Sequence, residues 1–208
     1  MFAVVIKTAK PDDSIQEDIL RAAIGLYRKY GPARVTMDEV ANATGRSRTS
    51  LYYYYKNREE IFQAVLDTIV DDVIKEIRRD VNNAGTIQEK ISAFCFAKIT
   101  TTGTWRHVFK AMWASMNAEE KTKHTKIMEL LHSKLVYNEG LIIKEILSES
   151  INKKEIRSIT PAEQDMLGFI LSSSIRGLRN EIYDKNDPHD MKDALRLLSA
   201  VISNWVTN

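Results

Sequence analysis

The chain has 208 residues, 44% of them hydrophobic and 28% charged, which is enough for one or two packed domains and too apolar for a disordered chain. Eight Gly and four Pro are too few for the many tight turns of an all-β sandwich or barrel, so the composition points to helices. Thirty Lys and Arg against 28 Asp and Glu leave a formal charge of +2, which neither demands nor excludes a nucleic-acid partner; local charge must decide.

Residues 1–13 read as a flexible N-terminal arm. The apolar start Met1 to Ile6 is too short for a secretory core, lacks a basic leader and runs straight into Lys7, Lys10, Asp12 and Asp13. No stretch reaches the ~20 apolar residues of a membrane span. A lone Cys95 between Phe94 and Phe96 reads as a small core residue in a reducing compartment. The expected location is therefore cytoplasmic, and nucleoid-associated if the protein holds DNA.

Helix starts are marked by a cap residue followed three positions later by an acid, at Thr36, Asn57, Thr86, Asn117 and Thr160; Pro161 and Pro188 add the proline signal of a first turn. A first amphipathic helix is expected from near Ser14 to the Gly31-Pro32 stop, with Ile19, Ala23, Leu26, Tyr27 and Tyr30 on one face. A short second helix follows Thr36 and ends near Thr44-Gly45, and Ser47 caps a short third that turns Leu51 and Tyr55 inward. A long fourth opens at Asn57 and buries Ile61, Phe62, Val65, Leu66, Ile69, Val73 and Ile77. Five more are expected near residues 86–101, 104–116, 118–150, 160–184 and 188–206, for an all-α chain of about nine helices. The expected division is 14–60 and 61–208.

Two short helices joined by a glycine-bearing turn make a helix-turn-helix. Between Glu39 and Glu59 no acid occurs, yet Arg46, Arg48, Lys56 and Arg58 all fall there, so a nearly neutral chain concentrates positive charge beside its second short helix. Ser47, Thr49 and Ser50 are short enough to let that helix sink into a major groove and still hydrogen-bond base edges or phosphates, and Arg48 can reach guanine or phosphate. Tyr52, Tyr53 and Tyr54 cannot all be core in a helix turning 100° per residue, so one or two face outward toward sugar-phosphate, although Tyr52 can also pack on the first helix. Thr36 and Lys56 lie at helix N-termini suited to phosphate.

Residues 14–62 resemble the N-terminal DNA-binding domain of the TetR (tetracycline-repressor) family of transcriptional regulators. The resemblance rests on Gly31, Val35-Thr36, the stretch Ala41 to Ser47, Leu51-Tyr52, Tyr55-Lys56-Asn57 and Arg58-Glu59. It implies a helical ligand-sensing and dimerisation domain beyond the first third of the chain, a homodimer on a palindromic DNA operator, and a small apolar or amphipathic effector that releases a repressor. The alternative is a DNA-tethered protein-interaction scaffold with no small ligand.

Within the second part, Phe94, Trp105, Phe109, Met112, Trp113, Met128 and Tyr137 would line an effector pocket, with His132 and Arg176 as its polar candidates. On the last two helices Gly168, Ser172, Ile175, Leu178, Leu198, Ile202 and Trp205 are the expected dimer interface, although an intrachain contact explains the small residues nearly as well. His124, Met128 and His132 share a stripe, but no Cys or carboxylate completes a ligand set, so neither metal nor cofactor is expected. With no Gly-rich phosphate loop, nucleophile elbow or zinc-protease motif, no enzyme is expected either.

Overall fold

In a computed structural model the backbone is described for residues 11–31, 34–115, 117–184 and 188–207, and the side chains over those ranges apart from 11, 12, 102, 104–115, 120, 123, 124, 127 and 184. The described residues form eight α-helices and one π-helical turn: α1 Pro11–Tyr30, α2 Met37–Ala43, α3 Arg48–Tyr54, α4 Arg58–Asn82, α5 Ile87–Ser115, α6 Ala118–Asn152, α7 Pro161–Arg179, the π turn Asn180–Asp184, and α8 Met191–Thr207. Two compact units share these helices. One takes the described residues up to Ile69 with Arg106–Ile127, and the other takes Val70–Trp105 with Met128–Asn208.

Helix ends follow the caps read from the sequence. Thr36 and Thr160 each form a full capping box, with Glu39 and Glu163 reaching back to the cap N–H. Thr86 and Glu89 do the same ahead of α5, and the Asn57 side chain accepts the Glu60 N–H at 2.8 Å ahead of α4. Each such cap is worth about 1 kcal/mol. Three boundaries differ from expectation. Helix α1 starts at Pro11, so residues 11–13, read as the end of the arm, are helical, while residues 1–10 of that arm lie outside the described residues. The last helix starts at Met191, where Asp190 accepts the N–H groups of Lys192 and Asp193 at 2.8 and 3.1 Å; Asp187 of the expected Asp187-Pro188 start lies outside the described residues. The expected break between 101 and 104 is absent, so eight α-helices replace about nine. There the Thr100 and Thr101 hydroxyls donate to the Phe96 and Ala97 carbonyls one turn back, which keeps a Thr- and Gly-containing stretch helical. A lone Gly in a helix costs only about 1 kcal/mol, less than the helix gains by packing.

In the first unit α2 packs on α1 and α3. Its core joins Ile19, Ala23 and Tyr27 of α1 to Val40, Leu51, Ile61 and Phe62, all buried. The Tyr27 ring meets Phe62 edge-on at 5.7 Å, the favoured aromatic geometry, and burial lifts its hydroxyl above the ordinary phenol range. All seven inward positions expected of the fourth helix are buried. At roughly 1.5–3 kcal/mol for each fully buried aliphatic or Phe side chain, this stripe is the main source of α4's stability.

In the second unit α6 is tied by ion pairs to three neighbours. Arg78 and Lys134 link it to α4 through Glu145 and Asp71, Lys90 and Lys98 link it to α5 through Glu149 and Glu139, and Lys144 links it to α7 through Asp165. Under these contacts lies an apolar layer of Ile91, Phe94, Ile142, Ile146, Leu147 and Leu171. Cys95 is fully buried, and burial pushes its thiol up to about 12, which makes it an unreactive packing residue. Helix α6 ends in a Schellman motif: Lys154 sits at φ 60°, its N–H donates to the Ile151 carbonyl, and the Glu155 N–H donates to Ser150.

Glu149 accepts from Lys153 and Lys90, and these hydrogen bonds lower its carboxyl from the ordinary 4.5 to about 2. A lowered carboxyl contributes stability that is complete above pH 4.5 and lost as pH falls toward 2. Glu149→Gln should therefore be less stable than the parent at neutral pH, with the two converging near pH 2, in urea unfolding followed by circular dichroism. Parallel pH profiles would exclude this role for the carboxylate.

Candidate functional site

The corner between α2 and α3 is built from backbone groups. Gly45 lies at φ 64°, its N–H donates to the Asn42 carbonyl at 3.1 Å, and the Arg46 N–H donates to Ala41 at 3.0 Å, which completes a Schellman cap on α2. Two residues on, the Ser47 hydroxyl accepts the Ser50 N–H at 3.1 Å and starts α3. Buried Val40, Ala41, Leu51 and Tyr55 lock the two helices together, and Gly31 closes α1 in the same left-handed conformation at φ 76°.

This corner turns the outer face of α3 to solvent. Arg48 and Thr49 are exposed and Ser50 half-buried; Tyr53 is 77% exposed and Tyr52 40%, Tyr54 is half-buried with its ring edge-on to Tyr53 at 5.0 Å, and Tyr55 points inward as expected. The run free of acids in sequence is not free of them in space. Arg48 pairs with Asp38 at 3.3 Å and donates to the Tyr52 hydroxyl, Arg46 lies 3.9 Å from Asp18, and Arg58 pairs with Glu59. These pairs are partly or largely exposed and so are worth at most about 1 kcal/mol each, weak enough to be exchanged for an anion. The Arg46 Nε is buried with no hydrogen-bond partner among the described residues. The Thr36 hydroxyl is held by Glu39, and Lys56 is exposed with its own N–H donating to Glu60.

A cavity of about 390 Å³ lies in the second unit, lined by residues of α5, α6 and α7. Of the expected pocket residues His132, Tyr137 and Arg176 line it; Phe94 belongs to the core, Met128 is half-buried away from it, and the side chains of Trp105, Phe109, Met112 and Trp113 lie outside the described residues, as does that of His124. Lys98, Glu139, Phe169, Ser172 and Arg179 also line it and were not expected. Periodicity could have found two of these: Lys98 sits on the buried stripe Phe94, Lys98, Thr101, and Glu139 on the stripe Leu131, Leu135, Glu139, Ile142. Lys98 donates to Glu139 at 2.5 Å and to the Ser172 carbonyl at 3.3 Å. Burial lowers the Lys98 ammonium below its ordinary range, and the carboxylate of Glu139 opposes that.

Arg176 contacts His132 Nε2. Because a guanidinium can only donate, the imidazole nitrogen must accept, which fixes the neutral tautomer with its proton on Nδ1. Burial and then the Arg176 charge lower the His132 pKa, in keeping with that tautomer.

Of the expected interface residues, Gly168, Ser172 and Ile175 face the interior of their own unit, Gly168 against Gly140 of α6, while Leu178, Leu198 and Ile202 are half-buried and Trp205 is 43% exposed. The apolar side chains exposed on α7 and α8 are Met166, Phe169 and Ile170 and Leu197, Val201 and Trp205, with the Trp205 ring under the Arg157 guanidinium at 4.0 Å. No helix among the described residues is long and apolar enough to cross a membrane.

Residues 19–65 match the family model described as bacterial regulatory proteins, tetR family. Over those residues the chain is similar to that family. Its relatives include the uncharacterized HTH-type transcriptional regulator YvaF of Bacillus subtilis, 24% identical over 163 residues that cover 74% of this chain and 73% of that one. Matches to the first curated relatives cover 37%, 73% and 59% of their own lengths, so the chain spans well under two thirds of some of them. Among solved structures it shares its fold with a regulator of the TetR/AcrR family from Thermobifida fusca, TM-score 0.61 at 16% identity, covering 92% of this chain and 97% of that one. It shares it also with SmeT in a complex with triclosan, TM-score 0.60 at 15% identity, covering 94% and 93%.

Gly45→Ala tests the corner. No atom lies within 4 Å of an added Cβ, so the loss is conformational alone. A non-glycine residue in this region costs about 1–2 kcal/mol, less for Asn. Urea midpoints should fall in the order Gly45, then Asn, then Ala, and equal midpoints would show that the left-handed turn is not needed.

Proposed function

We propose that the chain is a homodimeric, sequence-specific DNA-binding transcriptional regulator, a repressor released from a palindromic operator by a small amphipathic effector. The observation that carries this reading is the exposed outer face of α3, with Arg48, Thr49, Tyr52 and Tyr53 projecting from a corner fixed by Gly45. Residues 14–60 would bind DNA and residues 61–208 would sense and dimerise. In the groove Thr49 and Ser50 would meet base edges, Arg48 would exchange Asp38 for phosphate or guanine, and Arg46, Ser47, Tyr52, Tyr53, Tyr54, Lys56 and Arg58 would hold the backbone, with Thr36 at the N-terminus of α2. A two-fold pair of such helices about 34 Å apart would read one turn of DNA.

The cavity in the second unit favours the ligand-responsive reading over a scaffold without a small molecule. That SmeT is known with triclosan supports a small-molecule role for this fold in a relative. Effector and operator would then be reciprocally coupled, each weakening the other by the same factor. For the dimer, the exposed apolar side chains of α7 and α8 are the surface a second copy would cover, which keeps Trp205 of the expected set and moves outward from Gly168, Ser172 and Ile175 to Ile170, Leu197 and Val201.

Fluorescence anisotropy with the chain's own promoter-region duplex and a scrambled one tests the first half. Binding should be selective, with a log–log salt slope of about −6 for three or four phosphates per subunit. Arg48→Ala should weaken selective binding about tenfold or more. Equal weak binding to both duplexes would refute the regulator reading.

Sedimentation equilibrium tests the second half: the parent should be a dimer and Val201→Asp a folded monomer. A parent that is monomeric at micromolar concentration would exclude this interface.

A further inference from the structure

The cavity in the second unit carries more chemistry than an apolar site needs. Three cationic side chains line it, Lys98, Arg176 and Arg179, against one carboxylate, Glu139. Lys98 and Glu139 hold each other at 2.5 Å, so their charges cancel locally, and Arg176 is the cation at the cavity whose contact, His132, is a neutral group. His132, neutral and accepting from Arg176, holds that guanidinium at the cavity without neutralising it. Its contact uses one of five guanidinium donors, and the fork geometry suits a planar carboxylate.

Two further polar atoms lack partners among the described residues. Glu139 is fully buried and its Oε2 takes Lys98, but its Oε1 has none; Ser172 is 4% exposed and its Oγ has none. Both residues line the cavity. A buried acceptor left without a donor carries a desolvation penalty, so a ligand that brings a donor here relieves it. Leu135, Val136 and Phe169 supply the apolar part of the wall, beside the Tyr137 ring and the hydroxyls of Ser133 and Ser173. At about 390 Å³ the cavity sits at the small end of the ~300–1,000 Å³ usual for ligand sites.

We infer that this cavity takes a small organic carboxylate with an apolar or aromatic body and at least one hydrogen-bond donor, the carboxylate on Arg176 and the donor on Glu139 Oε1 or Ser172 Oγ. This rests on the reading of the second unit as a sensor and narrows its effector from any amphiphile to an anionic one. A neutral molecule of the same shape would leave the Arg176 guanidinium without a counter-charge, and an acid without a donor would leave the Glu139 oxygen unsatisfied.

Isothermal titration calorimetry on the full chain, without DNA, tests the inference with three probes: 3-(4-hydroxyphenyl)propionate, its primary amide, and 3-phenylpropionate. The hydroxy acid should bind with the amide about tenfold weaker and the acid lacking the hydroxyl several-fold weaker, since one charge-assisted or one buried hydrogen bond is worth about that factor. Arg176→Gln, with its fold checked by circular dichroism, should lose the preference for acid over amide. Wild-type preference for acid over amide stands as evidence even if that variant fails to fold. No binding of either acid at about 5 mM, or equal affinity for acid and amide, would overturn the inference. Operator anisotropy with the hydroxy acid separates it from the functional reading: binding that leaves DNA affinity unchanged would uphold the anionic cavity and refute its effector role, while selective operator binding with an acid-blind cavity would do the reverse.

Discussion

Every helix leaves backbone donors unsatisfied at one end and acceptors at the other, and in a chain made almost wholly of helices the satisfaction of those ends decides where it turns. The turn that matters most lies between Ala43 and Arg48. Thr44, Gly45, Arg46 and Ser47 close one helix and open the next, and only a left-handed residue in the second place allows both to happen in so few steps. With that corner set, Leu51 and Tyr55 fall into the core, and the opposite face of a seven-residue helix has nowhere to go but outward. A helix this short is not stable by itself, so its orientation is owed to the core residues beneath it.

The second unit solves a different problem. A long helix, α6, is held on three sides by ion pairs of its charged residues and by an apolar layer beneath them. Where Lys98 and Glu139 enter that layer, the protein accepts a desolvation cost that apolar residues would avoid. In the ligand-sensing reading the cavity next to the pair gives that arrangement a purpose: it keeps the Lys98 and Glu139 groups largely out of water, where electrostatic discrimination is stronger than at a wet surface.

How much of this could be read from sequence varied with the range of the physics. Caps and turns are local, so Thr36, Ser47, Asn57, Thr86 and Thr160 were legible, as were the left-handed Gly45 and the inward Tyr55. The continuous α5 was not, because Thr and Gly weaken a helix only modestly and the hydroxyls of Thr100 and Thr101 turn back onto it. The start of α8 was misplaced because two competing acid caps, Asp187 and Asp190, lie three residues apart and both look suitable in sequence. Of the aromatic residues expected at the cavity, Phe94 went to the core, while a lysine and a glutamate that read as surface residues one at a time met inside. The pairing of His132 with Arg176 spans 44 residues and leaves no local trace, so each could be suspected and their contact could not.

Lys98 and Glu139 also constrain how such a chain can change over time. They lie 41 residues apart, on different helices, and both are almost entirely enclosed. Exchange of either one strands a nearly buried charge without its counter-ion, at a cost of about 3–5 kcal/mol, a large share of the margin by which a domain stays folded. Exchange of both for apolar residues of similar volume is tolerable or even stabilising. The two positions are therefore bound to a shared history: descendants should carry both charges or neither, and a lineage that gives them up surrenders the polar lining of its cavity in the same step.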